Sequence, residues 1–142
     1  MKVRDIMTRQ VVTAGRGTTA RELARMMADQ GVGSVIIAEG GEPKGIVTDR
    51  DLVVYCLAEG RNPDDCTADE IMSTGGLLGG LAKVDVDDDT LEAAKQMGSH
   101  KVRRLPVVDQ GNVVGVVSAA DLAGELRTYV DALLVEEAKA AR

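Results

Sequence analysis

Apolar positions change their period along the chain, and the same order of changes occurs twice. Between Thr19 and Gln30, the residues Leu23, Met26 and Met27 recur at helical spacing, which predicts an amphipathic helix. A short apolar strand, Val11–Thr13, precedes it. Two more, Ser34–Ala38 and Lys44–Val47, follow it around the turn-forming "EGGEP", which predicts a hairpin. A second helix is expected from Asp49 to about Glu59. The pattern then repeats: strand Lys83–Val86, helix Thr90–Ser99, strands Leu105–Val108 and Val113–Val117 around "DQGN", and a long helix from Ala119 to about Ala138. "DDDT" puts carboxylates at the start of the helix beginning at Thr90, where the helix dipole favours them.

Residue identities repeat as well as periods. "RDIMT" (Arg4–Thr8) returns as "DEIMS" (Asp69–Ser73), an offset of 65. "MMADQGVGSVII" (Met26–Ile37) aligns with "QMGSHKVRRLPV" (Gln96–Val107) at an offset of 70, so the second copy carries five extra residues. The glycine-rich "TGGLLGGLAK" is the place for them and reads as a loop. The expected organisation is repeat one over 1–62 and repeat two over 63–142, with "AEGRNPDDCT" as a connector. A unit of roughly 60 residues buries too little surface to be secure alone. The expectation is therefore an α/β (α+β) fold in which two units, each a three-stranded sheet with two helices, pack as one body with pseudo-two-fold symmetry.

Composition narrows the function. Trp and Phe are absent and Tyr occurs twice, so the core must be aliphatic. The net charge of −6 and the lack of aromatic stacking platforms argue against nucleic acid as a partner. No apolar run approaches the ~18 residues of a membrane span, and "MKVRDIMTRQ" has charges where a signal peptide is apolar. Cys56 and Cys66 fit no zinc or redox spacing. A reducing, cytoplasmic setting is expected.

The most pointed repeat is "GIVTDRDL" (Gly45–Leu52) against "GVVSAADL" (Gly115–Leu122). A hydroxyl residue followed three positions later by an acid, just before a helix, is close to a capping box. On that reading the phrase is helix punctuation, copied with the unit. Three features point instead to a ligand. Glycine inside a strand weakens it unless something approaches closely. The hydroxyl and carboxylate lie where a helix N-terminus favours phosphate. A short Asp also suits a ribose diol better than it suits the return arm of the box, where Glu is preferred. Both readings stay open on the residues alone.

Taken together and in order, "DIMT"/"EIMS", "VRRLPVVD" and the Gly-apolar-apolar-[Ser/Thr]-x-x-Asp-Leu phrase resemble a tandem pair of cystathionine β-synthase (CBS) domains, from about Val3 to Leu126. Copy one departs from the family pattern in reading "VGSVIIAE" where copy two reads "VRRLPVVD". The resemblance implies a regulatory module, not an enzyme, that binds an adenine nucleotide or S-adenosyl compound between its copies. It implies that Asp51 and Asp121 accept from ribose hydroxyls, that Thr48 and Ser118 contact ribose or phosphate, and that Ile46, Val116, Thr13 and Asp85 flank the adenine. It also implies a homodimer and an effector protein, with Leu126, Val130, Leu133 and Leu134 as candidate contacts. No cofactor is required, and Mg²⁺ enters only with a polyphosphate.

Arg103 and Arg104, in "HKVRR", have no counterpart in copy one, which offers Gly33 and Ser34. Arginine forks suit phosphate oxygens. One cleft is therefore expected to be the better phosphate site, with Arg103 and Arg104 joining Asp51 and Thr48; the opposing reading makes them surface ion-pair residues. His100, the sole histidine, sits among charges and supports no catalytic triad. "DVDDDT" fails as a calcium loop, because Thr90 and Gln96 stand where Gly and Glu are needed. The rival function is a structural or interaction module with empty clefts.

Overall fold

The computed structural model describes residues 1–74 and 81–140. Six residues of the glycine-rich segment, 75–80, lie outside that set, as do 141–142. After a 3-10 turn at Val3–Asp5 come β1 (Thr13–Ala14), α1 (Ala20–Gln30), β2 (Ser34–Glu39) and β3 (Glu42–Thr48). A helical turn, α2 (Asp49–Asp51), runs on as a π-helix over Leu52–Leu57, and α3 (Ala68–Ile71) follows. The second half has β4 (Val84–Asp85), α4 (Thr90–His100), β5 (Arg104–Asp109), β6 (Asn112–Ser118) and α5 (Ala119–Ala140).

Two three-stranded sheets result, ordered β1-β2-β3 and β4-β5-β6. In each, the first strand is parallel to the second and the last two form an antiparallel hairpin. Register repeats at an offset of 70: Ser34 faces Thr48, and Arg104 faces Ser118. Even the bulge recurs, between Ile37 and Ala38 and between Val107 and Val108. The duplication is thus one of backbone detail. The departures are local. The first strands are two residues long, and the helix expected at Asp49–Glu59 is α-helical only for its first turn. Its later hydrogen bonds span five residues, as in Ala58 N–H to Val53 O at 2.8 Å.

Each sheet has its own aliphatic core. Leu23, Val35, Ile37 and Val47 fill the first; Val84, Leu105, Val107 and Val117 fill the second. Each such side chain contributes about 1.5–3 kcal/mol by leaving water. The opening segments cross over. Val3, near the start of copy one, is fully buried in the second core, while Ala68 and Ile71 of copy two lie in the first. Thr8 exchanges backbone hydrogen bonds with Val116, at 2.8 and 3.0 Å, and Ser73 does the same with Ile46, at 2.9 and 3.0 Å. Neither sheet is complete without a piece of the other copy, which makes the pair one body.

That crossing explains the repeated glycine. A Cβ on Gly45 would lie 2.5 Å from the Met72 sulfur. One on Gly115 would lie 2.8 Å from the Thr8 carbonyl oxygen and 2.9 Å from the Met7 sulfur. The close approach that these glycines permit is by the chain's own crossed segments.

Candidate functional site

Both repeated phrases form complete capping boxes. Thr48 N–H donates to Asp51 Oδ2 at 2.8 Å, and Asp51 N–H donates to Thr48 Oγ1 at 3.2 Å. Ser118 N–H donates to Asp121 Oδ2 at 2.8 Å, and Asp121 N–H donates to Ser118 Oγ at 3.1 Å. The punctuation reading therefore holds for the local geometry. It uses one oxygen of each carboxylate. Oδ1 of Asp51 and of Asp121 has no hydrogen-bond partner among the described residues.

The boxes border open space. A cavity of about 300 Å³, cleft one, is lined by Ile46, Thr48 and Asp51 from copy one and by Ala82, Val102, Arg103 and Arg104 from copy two. Cleft two, about 180 Å³, inverts the arrangement, with Val12, Val32 and Ile36 from copy one facing Val116, Ser118 and Asp121 from copy two. Each cleft thus combines an apolar wall, a hydroxyl and a carboxylate, and each draws on both copies.

Charge distinguishes the two. Cleft one is also lined by Lys101, Arg50 and Asp49. Among the described residues none of Arg50, Lys101, Arg103 and Arg104 takes part in an ion pair, although eight other pairs form on the surface. Four cations against Asp49 and Asp51 leave this cleft positive in a protein of net charge −6. Among the described residues, cleft two has Arg104 alone against Asp121.

Eight of the ten residues singled out from the sequence fall on the clefts: Ile46, Thr48, Asp51, Arg103 and Arg104 on the first, and Val116, Ser118, Asp121 and again Arg104 on the second. Thr13 and Asp85 line neither. Thr13 is exposed on β1, and the Asp85 carboxylate accepts from Asp87 N–H at 2.9 Å within its own turn. The wall positions are Val12 and Ala82 instead. These two keep the 70-residue offset of the repeat, whereas Thr13 and Asp85 do not; that was the available signal. Thr8 and Ser73, also missed, reach the clefts through the crossed segments.

Other candidate chemistry is spent on structure. His100 Nδ1 bonds the Gln96 carbonyl at 3.0 Å, as a donor at the end of α4, and lines neither cleft. Asp89 Oδ1 accepts from Leu91 N–H at 2.8 Å and caps the same helix at its start. Cys56 and Cys66 are free and buried. Burial pushes the Cys66 thiol up, and a hydrogen bond with Cys56 adds to the shift, which is the opposite of activation. Among the described residues no helix is long and apolar enough to cross a membrane, and no three His, Cys, Asp or Glu side chains group for a metal.

Comparison with known proteins bears on what such paired clefts belong to. The family model for the CBS domain matches twice, over residues 3–58 and 68–128. The chain belongs to the CBS domain family. This CBS pair is 40 % identical over 121 residues to the CBS domain-containing protein YhcV of Bacillus subtilis, covering 85 % of this chain and 82 % of the relative. Among solved structures, Hypoxic Response Protein I with two coordinated zinc ions is 32 % identical, with a TM-score of 0.74, covering 87 % of this chain and 97 % of that one. The CBS domain protein PAE2072 from Pyrobaculum aerophilum, complexed with AMP, is 26 % identical, with a TM-score of 0.73 over 86 % of this chain and 90 % of that one.

Proposed function

We propose that this CBS pair is a regulatory module that binds an adenosine-type ligand, an adenine nucleotide or S-adenosyl compound, and performs no catalysis. The observation that carries the reading is the pair of open clefts, each with a carboxylate oxygen left over from its cap, beside an apolar wall fit for a purine. A ribose diol can donate to that oxygen without displacing the cap. The AMP bound by PAE2072 supports the class of ligand. Cleft one suits a phosphate tail, through Arg103, Arg104 and Lys101. Mg²⁺ enters only with a polyphosphate.

Because each cleft is made from both copies, a ligand favours the relative placement of the copies that fits it and shifts the population toward that placement. The readout is a homodimer and, beyond it, an effector protein in a cytoplasmic setting. Leu126, Val130, Leu133 and Leu134 line the outer part of α5, each 46 % or more exposed, and form the candidate contact.

The test is a thermal-shift and titration screen over AMP, ATP, S-adenosylmethionine and guanine nucleotides. Adenine compounds are expected to stabilise the fold, by about 2.7 kcal/mol at one hundred times Kd, and guanine nucleotides are not. Asp51→Ala and Asp121→Ala should each remove one site. Stabilisation that survives both changes unaltered would show the site assignment to be wrong. The rival reading, an interaction module with empty clefts, draws on the engagement of both carboxylates in caps. It predicts no heat with any adenosine compound.

A further inference from the structure

Among the described residues, Arg104 alone lines both clefts. Its backbone belongs to the second sheet, where it pairs with Ser118 across the β5–β6 hairpin. Its side chain crosses toward copy one. A Cβ built on Gly33 would lie 3.8 Å from an Arg104 terminal nitrogen and 3.4 Å from Asp49 Oδ2, both ordinary contact distances, so the guanidinium lies beside Gly33 and Asp49 of copy one. The equivalent residue in copy one is Ser34, which is too short to reach across. Crossing therefore happens in one direction only. Arg104 is exposed and makes no ion pair among the described residues, so a ligand can recruit it from either side.

Building on the nucleotide reading above, we infer that Arg104 couples the two clefts, so that a phosphate-bearing ligand in cleft one weakens phosphate binding in cleft two. The chemistry is a shared donor. Phosphate engages guanidinium through paired, charge-assisted hydrogen bonds in a fixed fork. A fork turned onto a phosphate in cleft one is withdrawn from cleft two, which among the described residues has no other cation on its wall. Cleft one keeps Lys101, Arg103 and Arg50 whichever way Arg104 turns. The molecule with cleft one filled by a nucleotide then presents a second cleft better suited to an adenosine compound without a phosphate. The antagonism is reciprocal, as linkage requires.

The experiment is a binding cycle by isothermal titration with AMP, and with adenosine as the uncharged probe. Single-cleft association constants come from Asp121→Asn and Asp51→Asn, in which the amide oxygen can still accept the cap hydrogen bond. For AMP, the product of the two stepwise constants of the unaltered chain is expected to fall about tenfold below the product of the single-cleft constants, within the usual range of coupling between sites. For adenosine the two products should agree. They should also agree for AMP in an Arg104→Ala or Arg104→Gln background, the latter keeping hydrogen-bonding capacity without charge. Arg103→Ala, which touches cleft one alone, should leave the tenfold deficit in place. Equal products for AMP in the unaltered chain would overturn the coupling and leave the nucleotide reading standing. Absence of binding by both AMP and adenosine would overturn both.

Discussion

The two clefts are made of the same parts and differ in what they can hold. Each has a capped carboxylate, a hydroxyl at a strand end and an aliphatic wall, in the same register. Besides Asp49 and Arg50, which answer to Ala119 and Ala120, what separates them is a short stretch at the end of the first helix of each copy. Copy one has Gly31, Gly33 and Ser34 there, and copy two has Lys101, Arg103 and Arg104. Because each cleft is lined from both copies, the basic stretch of copy two equips the cleft whose carboxylate comes from copy one. Duplication thus supplied two similar frames, and substitutions at a few lining positions gave them different charge. The backbone bears a cost for one of these substitutions. Lys101 has φ +54°, as Gly31 has +65°, and a side-chain-bearing residue in that left-handed region is disfavoured by roughly 1–2 kcal/mol. Lys101 lines cleft one and also caps α4 in this conformation, where glycine would end the helix at less cost.

The largest expected effect tests whether the two crossed segments are as alike as the clefts they border. Gly115→Ala drives a methyl group against the Thr8 backbone oxygen, and Gly45→Ala drives one against the Met72 side chain. Both should destabilise, by about 1–3 kcal/mol, as overpacking does. The obstacles differ in kind. Adding Met72→Ala should recover part of the stability lost by Gly45→Ala, because the sulfur and Cγ are then gone. Met7→Ala should recover little for Gly115→Ala, because the carbonyl remains. Denaturant midpoints of the four variants measure this. Equal rescue on both sides would mean that the backbone contact at Thr8 yields easily, and the segments would be interchangeable.

A middle-sized effect sharpens the contrast in charge. Lys101→Gly should stabilise the fold by about 1 kcal/mol by relieving the left-handed residue. The same change should weaken AMP binding at cleft one several-fold while leaving adenosine binding unaltered. Stability gained with no loss of AMP affinity would remove Lys101 from the phosphate site and leave its conformation without a functional reason.

Much of this architecture was legible because period and identity repeat together. Leu23, Met26 and Met27 announced α1, and the two eight-residue phrases announced equivalent strand-to-helix corners. Three things were hidden. The change of offset from 65 to 70 marked an insertion but carried no information on which sheet Val3 or Ile71 would join, since that is decided by packing across the interface. The π-helix over Leu52–Leu57 follows from no residue type that would forbid an α-helix there. Thr13 was placed on a cleft wall where Val12 stands, because alternate strand residues face opposite ways and a slip of one position exchanges wall for solvent. The glycines of the two phrases were legible as sites of close approach, but a close approach by the chain and one by a ligand leave the same mark in a sequence.

The smallest expected effect concerns what pins each crossed segment at its outer end. Arg4 of the first segment bonds the Asp87 carboxylate of copy two, with Lys2 Nζ 3.7 Å from the same oxygen. In the second segment Glu70 accepts from Thr67 Oγ1 at 2.9 Å and pairs with Arg61. The hydrogen bond from Arg4 holds the Asp87 carboxyl below the usual carboxylate range, and those from Thr67 and then Arg61 do the same for Glu70. A carboxyl depressed in the folded state stabilises it fully above the unfolded pKa, about 3.9 for Asp and 4.3 for Glu. That contribution is lost as pH falls through the folded value. Melting temperature should therefore be insensitive to these groups between pH 7 and about pH 5 and should decline in acid below the unfolded values. Asp87→Asn and Glu70→Gln should each lower the plateau slightly and flatten the acid decline. Both pairs are solvent-exposed, so raised salt should shrink the difference. An acid decline that is equally steep in the unaltered chain and in the double variant would mean that the crossed segments are held by Val3, Ile71 and their cores alone, with the charges at their ends merely decorating the surface.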